Sequence, residues 1–189
     1  MEYVLASASP RRKELLAELI EKFEIIPSAF EEVAEEGLAP SDLVKMLAEG
    51  KAKEVALRAE NAGKIVIGSD TVVAYGDEVL GKPKDAEDAF RMLKMLSGAS
   101  HSVYTGVCFA ILLNGELHLC TEADRTDVHF KELSDEWIWA YIRGGSPMDK
   151  AGAYGIQDGG LVDRIEGSYT NVVGFPIELV KKMLEKEWV

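Results

Sequence analysis

The stretch HSVYTGVCFAILLNGELHLCTEADRTDVH, residues 101–129, decides the fold class of this chain. An apolar-rich run before Asn114-Gly115 and a mixed polar and apolar run after it flank this dipeptide, which strongly indicates a two-residue hairpin turn. The runs therefore predict a long antiparallel pair, His101–Leu113 with Glu116–His129. Such a pair excludes a purely parallel sheet, and helical patterns lie before and after it. We predict an α/β fold in which an elongated mixed β-sheet is flanked by helices, in two lobes with a cleft between them.

Shorter elements complete this predicted architecture. Short apolar runs bounded by turn residues predict further strands at Val4–Ser7, Phe23–Ser28, Lys64–Gly68 and Leu161–Glu166, and a hairpin at Val72–Val79. Apolar spacing of 3.6 residues and capping residues predict helices at Pro10–Phe23, Ser41–Leu57, Asp85–Leu96, Ser134–Ile142 and Pro176–Glu187. No repeat or low-complexity linker interrupts the 189 residues, which suffice for one well-buried core. A single domain, 1–189, is therefore expected.

The charge of the chain restricts its partners. A formal net charge of −12 argues against nucleic-acid polymers and anionic membranes, which require broad basic surfaces. No apolar run reaches the roughly 18 residues of a membrane span. At the N-terminus an acid precedes the first apolar run and two arginines follow it, the reverse of a secretory signal, so a cytoplasmic protein is expected. A small anionic ligand is still compatible, if basic residues or a metal are concentrated at its site.

The two cysteines, Cys108 and Cys120, flank the predicted hairpin turn. With a two-residue turn they lie on opposite faces of the ribbon, where their sulfurs cannot bond. A three-residue loop would shift the register and could bring them opposite each other. Two free thiols, as is usual in a cytoplasmic protein, are the better interpretation.

A first candidate site follows the first predicted strand at Ser7-Ala8-Ser9-Pro10-Arg11-Arg12. Ser9 is a favourable N-cap and Pro10 suits the first helical position. Free backbone N–H groups and the positive end of the helix dipole favour an anion there, and two guanidinium groups suit phosphate oxygens. The alternative is an ordinary N-cap with two solvated arginines. Because arginine in a first helical turn opposes the dipole, phosphate binding is the favoured interpretation.

A second candidate is Asp70, which follows the predicted strand Lys64–Gly68. The carboxyl ends of strands are where α/β sheets place ligands, and a carboxylate there can hold Mg²⁺ or orient a water. A turn aspartate that accepts backbone N–H bonds explains Asp70 alone equally well. Glu31-Glu32 begins the acidic loop 31–37, and one carboxylate of this loop is a candidate to complete a metal site with Asp70, although such charge runs are usually solvated.

Weaker signals lie elsewhere in the chain. Lys51 in a helix and Lys82 on the turn Gly81-Lys82-Pro83 are each ordinary surface lysines when taken singly. The small residues of the loop 149–155, DKAGAYG, indicate close backbone approach to a ligand, or else a tight structural loop. The three histidines are scattered and indicate neither a metal triad nor a Ser-His-Asp arrangement.

Taken together, these pieces resemble the Maf family nearly from end to end. The motifs that carry the resemblance occur in the family's order: Ser7-x-Ser9-Pro10-Arg11-Arg12, Ser69-Asp70-Thr71-Val72-Val73, Gly81-Lys82-Pro83, Leu96-Ser97-Gly98, His101-x-Val103-x-Thr105-Gly106, Asp149-Lys150-Ala151-Gly152-Ala153-Tyr154-Gly155-Ile156-Gln157 and Gly167-Ser168-Tyr169. Their joint occurrence is far more specific than any one motif.

The resemblance implies an inosine-triphosphatase-like fold and a nucleoside triphosphate pyrophosphatase, which cuts between the α and β phosphates with Mg²⁺ or Mn²⁺. It implies that Asp70 is the catalytic carboxylate, usually described as a proton acceptor. By the same resemblance, Ser7, Arg12, Lys51 and Lys82 are phosphate contacts and Glu32 is a metal-side carboxylate. An unperturbed aspartate is a weak base, so residue chemistry favours Asp70 as a metal ligand or a water-orienting group.

The resemblance also implies a substrate. Arg11, Thr71 and Gln157 correspond to the family's specificity positions and are similar to those of the branch that acts on dTTP and UTP, a nucleotide-pool house-cleaning role. The branch acting on 7-methyl-GTP is less similar.

Two positions depart from the family pattern. Ser146 stands where many members have a glutamate, so no role for that carboxylate is carried over, and Asp158 stands where glycine is common.

A rival hypothesis is a non-catalytic nucleotide-binding regulator of cell division. It would use the basic groups but has no need for Asp70 and Glu32 as a metal pair. The expected partner is in either case a nucleoside triphosphate. A homodimer is compatible with the sequence, which leaves the oligomeric state open.

Overall fold

The computed structural model describes residues 1–32 and 37–186. Its mixed seven-stranded sheet has the order β2-β1-β3-β5-β6-β7, with β4 paired to β3. The strands are β1 Tyr3–Leu5, β2 Glu24–Ile25, β3 Ile65–Tyr75, β4 Glu78–Leu80, β5 Ser100–Leu113, β6 Glu116–Phe130 and β7 Val162–Glu166. The helices are α1 Pro10–Ala17, α2 Pro40–Ala56, α3 Ala86–Leu96, α4 Asp135–Arg143, α5 Tyr169–Val173 and α6 Ile177–Leu184. The predicted α/β class with a mixed sheet flanked by helices is confirmed.

Both parallel and antiparallel pairing occur in this sheet. β1 pairs in parallel with β2 and with β3, whereas β4 pairs antiparallel to β3 and β7 antiparallel to β6. The β5–β6 connection is the predicted two-residue turn, since Asn114 and Gly115 both have positive φ, 51° and 83°. Cys108 and Cys120 are free thiols, as predicted, and burial raises the pKa of Cys108 to about 12.

The strand that carries Asp70 is longer than predicted. Sequence patterns ended it at Gly68, but β3 runs from Ile65 through Asp70 to Tyr75. Its second half is held by antiparallel pairing with β4, Val73 opposite Leu80 and Tyr75 opposite Glu78. The placement of Asp70 at the carboxyl end of a strand was therefore wrong, because β3, which is hydrogen-bonded to the distant strand β5, continues through a polar stretch that resembles a turn.

Other differences from prediction are smaller. β2 has two residues where Phe23–Ser28 was expected, and α1 ends at Ala17 rather than Phe23. The short helix α5, Tyr169–Val173, is not among the predicted elements. Most of the acidic loop, residues 33–36, and the last residue of the predicted terminal helix lie outside the described residues. Within the described residues, no helix is long and apolar enough to cross a membrane.

The chain divides into two compact units, in agreement with the predicted two lobes. Unit 1 comprises Met1–Asp70, Thr105–Asp124 and Gly174–Val189, and unit 2 comprises Thr71–Tyr104 and Arg125–Val173. In unit 1, alternate residues of the strands point to opposite faces of the sheet, and different helices cover each face. One face packs on α1 and α6 through large side chains, among them Leu5, Ile67, Phe109, Leu16 and Phe175. The other packs on α2 through small ones, among them Ala6, Val66, Ala48, Ala52 and Ala56.

Unit 2 has a core of its own. Strand residues Val73, Val103, Val128 and Phe130 pack against apolar side chains of α3 and α4, including Leu93, Leu96 and Ile138. Both helices begin as their sequences predict, because the side chains of Asp85 and Ser134 accept the backbone N–H of the third residue beyond them.

Candidate functional site

The loop between β1 and α1 folds as its sequence predicts. Ser9 is the N-cap of α1, its Oγ accepts the backbone N–H of Arg12 at 3.5 Å, and Pro10 takes the first helical position. Ser7 is half-buried, and its Oγ accepts the backbone N–H of Ser9 at 3.2 Å. The predicted phosphate-binding segment is thus a capped helix N-terminus with polar side chains around it.

Arg12 is more deeply tied into the protein than a solvated arginine would be. Its Nε donates to the carbonyl of Gly174 at 2.9 Å, and one terminal nitrogen donates to the carbonyl of Ser69 at 2.9 Å and to Ser7 Oγ at 3.4 Å. Burial lowers its pKa, an effect that Arg11 increases and the carboxylates of Asp70 and Glu32 oppose. The guanidinium therefore links α1, β3 and the segment before α6, and it places a half-buried positive charge near Asp70.

Two glycines set the distance between α2 and the sheet. A Cβ on Gly68 of β3 would lie 2.3 Å from the carbonyl oxygen of Ala48, and a Cβ on Gly106 of β5 would lie 2.2 Å from that of Val44. Both contacts are with helix backbone, so no side-chain rotation would relieve them. Glycine at these two positions allows α2 to pack directly against the strands.

This packing brings a lysine of α2 against the strand that carries Asp70. Asp70 points to the same face of β3 as Gly68, two residues earlier. Lys51 Nζ lies 2.5 Å from Asp70 Oδ1 and 2.7 Å from Glu32 Oε1. The Lys51 and Asp70 side chains are only 15% and 12% exposed, whereas Glu32 is 55% exposed. Lys51 is therefore an ammonium held between two carboxylates, one of them nearly buried.

The same geometry tests whether a divalent metal fits. Glu32 and Asp70 each direct an oxygen at one cationic atom, Lys51 Nζ, so both oxygens can reach a common cation. Mg²⁺ is typically bound by one or two carboxylates, with phosphate oxygens and water completing its shell. Within the described part of the chain, no group of three or more acidic, His or Cys residues is arranged to hold a metal. The two carboxylates fit a metal that the substrate also ligates.

The remaining predicted site residues belong to unit 2. Thr71 is half-buried in β3, Lys82 is exposed on the turn after β4, and Gln157 is exposed in the 3₁₀ turn Ile156–Asp158. The backbone N–H of Gly152 donates to the carbonyl of Gly81 at 3.0 Å, which joins the loop 149–157 to the Lys82 turn. Unit 1 thus contains Ser7, Arg11, Arg12, Glu32, Lys51 and Asp70, and unit 2 contains Thr71, Lys82 and Gln157.

Close packing and backbone conformation within the protein explain the small residues of the loop 149–155. A Cβ on Gly152 would lie 2.8 Å from a methyl of Val73, and Gly152 has φ 68°. Ala153 is fully buried and has φ 61°, which is uncommon for a residue other than glycine. Tyr154 is buried and hydrogen-bonded to His101 at 2.7 Å. The structure therefore supports the interpretation of Gly152 as part of a tight structural loop.

The hydrogen-bonded environment of His129 was not predicted from the sequence. His129 Nε2 lies 3.1 Å from Glu166 Oε1, and its Nδ1 contacts Ser100 Oγ. These residues come from three adjacent strands, β5, β6 and β7, and both Ser100 and Glu166 are exposed. The arrangement resembles a serine-histidine-acid chain in connectivity, but it lies on open strands rather than at a turn that would present backbone N–H donors to an oxyanion.

Sequence reasoning also missed a hydrogen-bonded cluster around the Gln157 turn. Ser146 Oγ donates to Asp158 Oδ2 at 2.6 Å, and the hydroxyl of Tyr141 donates to the same oxygen at 2.5 Å. The two positions that depart from the family pattern, Ser146 and Asp158, are thus in direct contact. Their joint departure was the signal available in the sequence, but only the fold shows that the two meet.

Comparison with known proteins gives relatives over almost the whole chain. The dTTP/UTP pyrophosphatase of Thermococcus kodakarensis is 54% identical over 187 residues, which cover 96% of this chain and 95% of that protein. The dTTP/UTP pyrophosphatase of Acetivibrio thermocellus is 47% identical over 192 residues, 98% of this chain and 94% of that protein. Among solved structures, the Ham1 protein of Staphylococcus aureus aligns over 98% of both chains with a TM-score of 0.49 and 15% identity.

The family model described as Maf-like protein matches residues 2–187. This match includes every motif on which the sequence resemblance was based, from Ser7 to Tyr169. Because the family model and the curated relatives both span nearly all of the chain, the chain belongs to the Maf family.

Proposed function

We propose that this chain is a nucleoside triphosphate pyrophosphatase that hydrolyses dTTP and UTP to the nucleoside monophosphate and pyrophosphate. The observation that carries the proposal is the Lys51 ammonium held between Asp70 and Glu32, with the half-buried Arg12 guanidinium near Asp70. Relatives named dTTP/UTP pyrophosphatases, 47% to 54% identical to this chain, support the substrate class. The proposal includes action in the cytoplasm on the nucleotide pool, which the two free thiols support.

The cationic groups match the charge that the reaction develops. Attack at the α phosphorus concentrates negative charge on nonbridging oxygens and on the leaving pyrophosphate. Positive groups already in position stabilise that charge without reorganisation when the reaction occurs. Arg12 and Lys51 are held by protein contacts, and we assign them to the triphosphate together with Ser7 and Lys82. In a protein of net charge −12, this local cluster would attract an anion against the overall field.

A divalent cation, Mg²⁺ or Mn²⁺, is part of the proposal, with Glu32 and Asp70 as its protein ligands. When bound there, it would supply Lewis-acid polarisation of the phosphate and a more acidic water. Lys51 is a counterion to both carboxylates and keeps them close to each other before the substrate binds. Asp70, buried and fixed by Lys51, is positioned to orient the attacking water rather than to act as a strong base.

Gln157 is the residue that we assign to the base. Uracil and thymine present an N3–H donor between two carbonyl acceptors, and a glutamine amide offers a matching acceptor and donor. Cytosine presents the opposite pattern at N3 and C4. Arg11 and Thr71 are the further specificity positions in the proposal. A mismatched, unpaired polar group costs about 1–3 kcal/mol, so discrimination of roughly 10- to 100-fold is expected.

Release of pyrophosphate from a nucleotide panel, with and without Mg²⁺ or Mn²⁺, tests this proposal. Wild type is expected to favour dTTP and UTP over CTP, GTP and 7-methyl-GTP. Asp70→Asn should lower kcat at least about 100-fold, because the oriented carboxylate acts in the transition state. Glu49→Gln is the matched control, since Glu49 pairs with Lys53 on the same helix at 2.9 Å but outside the site.

The possible results separate the hypotheses. Near-normal turnover by Asp70→Asn would make Asp70 a structural residue and refute the mechanism. Tight binding of nucleotides by wild type without any pyrophosphate release would support a binding protein instead of an enzyme. A preference for a purine triphosphate would overturn the assignment of substrate while leaving a pyrophosphatase.

A further inference from the structure

The turn that carries Gln157 has glycine on both sides. Ile156–Asp158 is a single 3₁₀ turn that follows Gly155 and precedes Gly159 and Gly160, whose φ values are 73° and 83°. Its own backbone bonds are few: Asp158 N–H to the carbonyl of Gly155 at 3.1 Å, and Gly159 N–H to that of Ile156 at 3.3 Å. Since glycine loses the most conformational freedom on ordering, such a turn needs outside contacts to keep one conformation.

Those contacts come from helix α4. The hydroxyl of Tyr141 accepts the backbone N–H of Gly155 at 3.1 Å and donates to Asp158 Oδ2 at 2.5 Å. One hydroxyl therefore bonds to both ends of the turn. The Tyr141 ring is stacked on Trp137, with centroids 5.4 Å apart, and Trp137 also packs against Gly160, where a Cβ would lie 2.9 Å from the indole. Burial and the hydrogen bond to Asp158 raise the pKa of Tyr141, so it remains a donor at neutral pH.

A second set of donors comes from the loop before the turn. Ser146 Oγ donates to Asp158 Oδ2 at 2.6 Å, and Lys150 Nζ donates to Ser146 Oγ at 3.0 Å. Burial acts to raise the pKa of Asp158, but the hydrogen bonds from Ser146 and Tyr141 and the charge of Lys150 outweigh it, so the pKa lies below its ordinary value. Asp158 is therefore an anion that two hydroxyl donors hold in one place.

Gln157 itself depends on this arrangement. Its side chain is exposed, and it makes no hydrogen bond with any residue in the ranges 1–32 and 37–186. The backbone of the turn therefore fixes where the Cα–Cβ bond of Gln157 points, and with it the region that the amide can reach. A glutamine that distinguishes uracil from cytosine must present its oxygen and its NH₂ group in a defined orientation.

We propose that Tyr141, Ser146 and Asp158 form a clamp that holds the 155–158 turn, and that through Gln157 this clamp sets the preference for uracil and thymine over cytosine. The inference rests on the proposed function, in which Gln157 reads the base. These three are positioning residues: they hold the turn and are not assigned contact with the nucleotide. Loosening the clamp should raise KM for UTP and leave kcat nearly unchanged, because the phosphate-binding groups are elsewhere.

The experiment compares Tyr141→Phe, Ser146→Ala and Asp158→Asn with wild type. Asp163→Asn is the matched control, since Asp163 is 60% exposed in β7 and its only described ion pair, to Arg164, is 3.9 Å long. Two quantities are measured: kcat and KM for UTP and CTP, which differ only at the base edge, and amide hydrogen exchange of residues 155–160. Asp158→Asn and Tyr141→Phe should speed exchange in this segment and lower the UTP/CTP ratio of kcat/KM about five- to tenfold, the effect of one or two lost hydrogen bonds.

Coupling to Gln157 completes the test. If the clamp acts through this residue, Asp158→Asn added to Gln157→Glu should change the UTP/CTP ratio no further. Unchanged exchange in every variant would overturn the clamp, whatever the activity. Faster exchange with an unchanged ratio would overturn its role in specificity. If wild type did not hydrolyse pyrimidine triphosphates, the proposed function and the role of the clamp in specificity would both be overturned. The exchange data would still test whether the clamp holds the turn.

Discussion

A single methyl group on Gly68 would test whether the close packing of α2 builds the catalytic pair. The Cβ of Gly68→Ala would lie 2.3 Å from the carbonyl oxygen of Ala48 and 2.7 Å from the backbone nitrogen of Ala52, where ordinary contacts begin near 3.4 Å. Both are backbone atoms, so helix and strand must separate by about 1 Å. Lys51 lies between these two residues of α2 and would be carried away from Asp70 with them.

Two magnitudes follow from that displacement. Overpacking of a close contact costs about 1–3 kcal/mol of unfolding free energy. A misplacement of about 1 Å in a catalytic group can cost roughly 100-fold in rate. We therefore expect Gly68→Ala to fold with reduced stability and to lose about 100-fold in kcat, because the 2.5 Å contact between Lys51 Nζ and Asp70 Oδ1 is lost.

Urea denaturation and pyrophosphate release measure the two effects separately. Gly63→Ala is the control, since Gly63 precedes the same strand and has open space around it but a φ of 80°. Its methyl group should cost about 1 kcal/mol through backbone strain and leave kcat unchanged. If Gly68→Ala lost stability but kept wild-type turnover, the idea that helix packing positions Lys51 would be refuted.

Two further predictions concern polar residues of unit 2, Lys82 and His101. Lys82→Ala should lower kcat together with kcat/KM for UTP, because charge builds up during cleavage; an effect on KM alone would assign Lys82 to uniform binding. His101 is buried against Tyr154, and burial lowers its pKa to about 4. Below the unfolded-state pKa of about 6.5, the unfolded chain binds a proton at this histidine that the folded chain does not bind. The free energy of unfolding therefore decreases as the pH is lowered. Relative to His101→Gln, wild type should lose about 2 kcal/mol of unfolding free energy when the pH is lowered from 7 to 5. An equal loss in wild type and in His101→Gln would contradict this.

Local signals were reliable where a few neighbouring residues decide the structure. Asn114-Gly115 forms the predicted hairpin turn, and Ser9, Asp85 and Ser134 cap the helices they precede. Each depends on backbone conformations or hydrogen bonds within four residues. They could be predicted because no distant part of the chain has to be known.

Predictions failed where a distant strand decides. The polar stretch Ser69–Thr71 resembles a turn, yet β3 passes through it and is hydrogen-bonded to β5, a strand that is distant in the sequence. Likewise, the small residues of the loop 149–155 were consistent with ligand binding as well as with a tight loop. The structure shows that Gly152 packs closely against Val73. Backbone pairing and close packing across long sequence separations override local propensity at both places.

For the candidate site, sequence alone determined the residue types and the family, since Ser7, Arg12, Asp70 and Lys82 lie within motifs of distinctive spacing, whereas Lys51 was indicated only by the family resemblance. Only the tertiary structure decided that Arg12 binds two backbone carbonyls and that Lys51 lies between Asp70 and Glu32. The physical reason is that these contacts join residues 19 to 162 positions apart. The Lys51 contacts form only once Gly68 and Gly106 let α2 pack against the sheet, a fit that depends on the shapes of surfaces and not on any local pattern of residues.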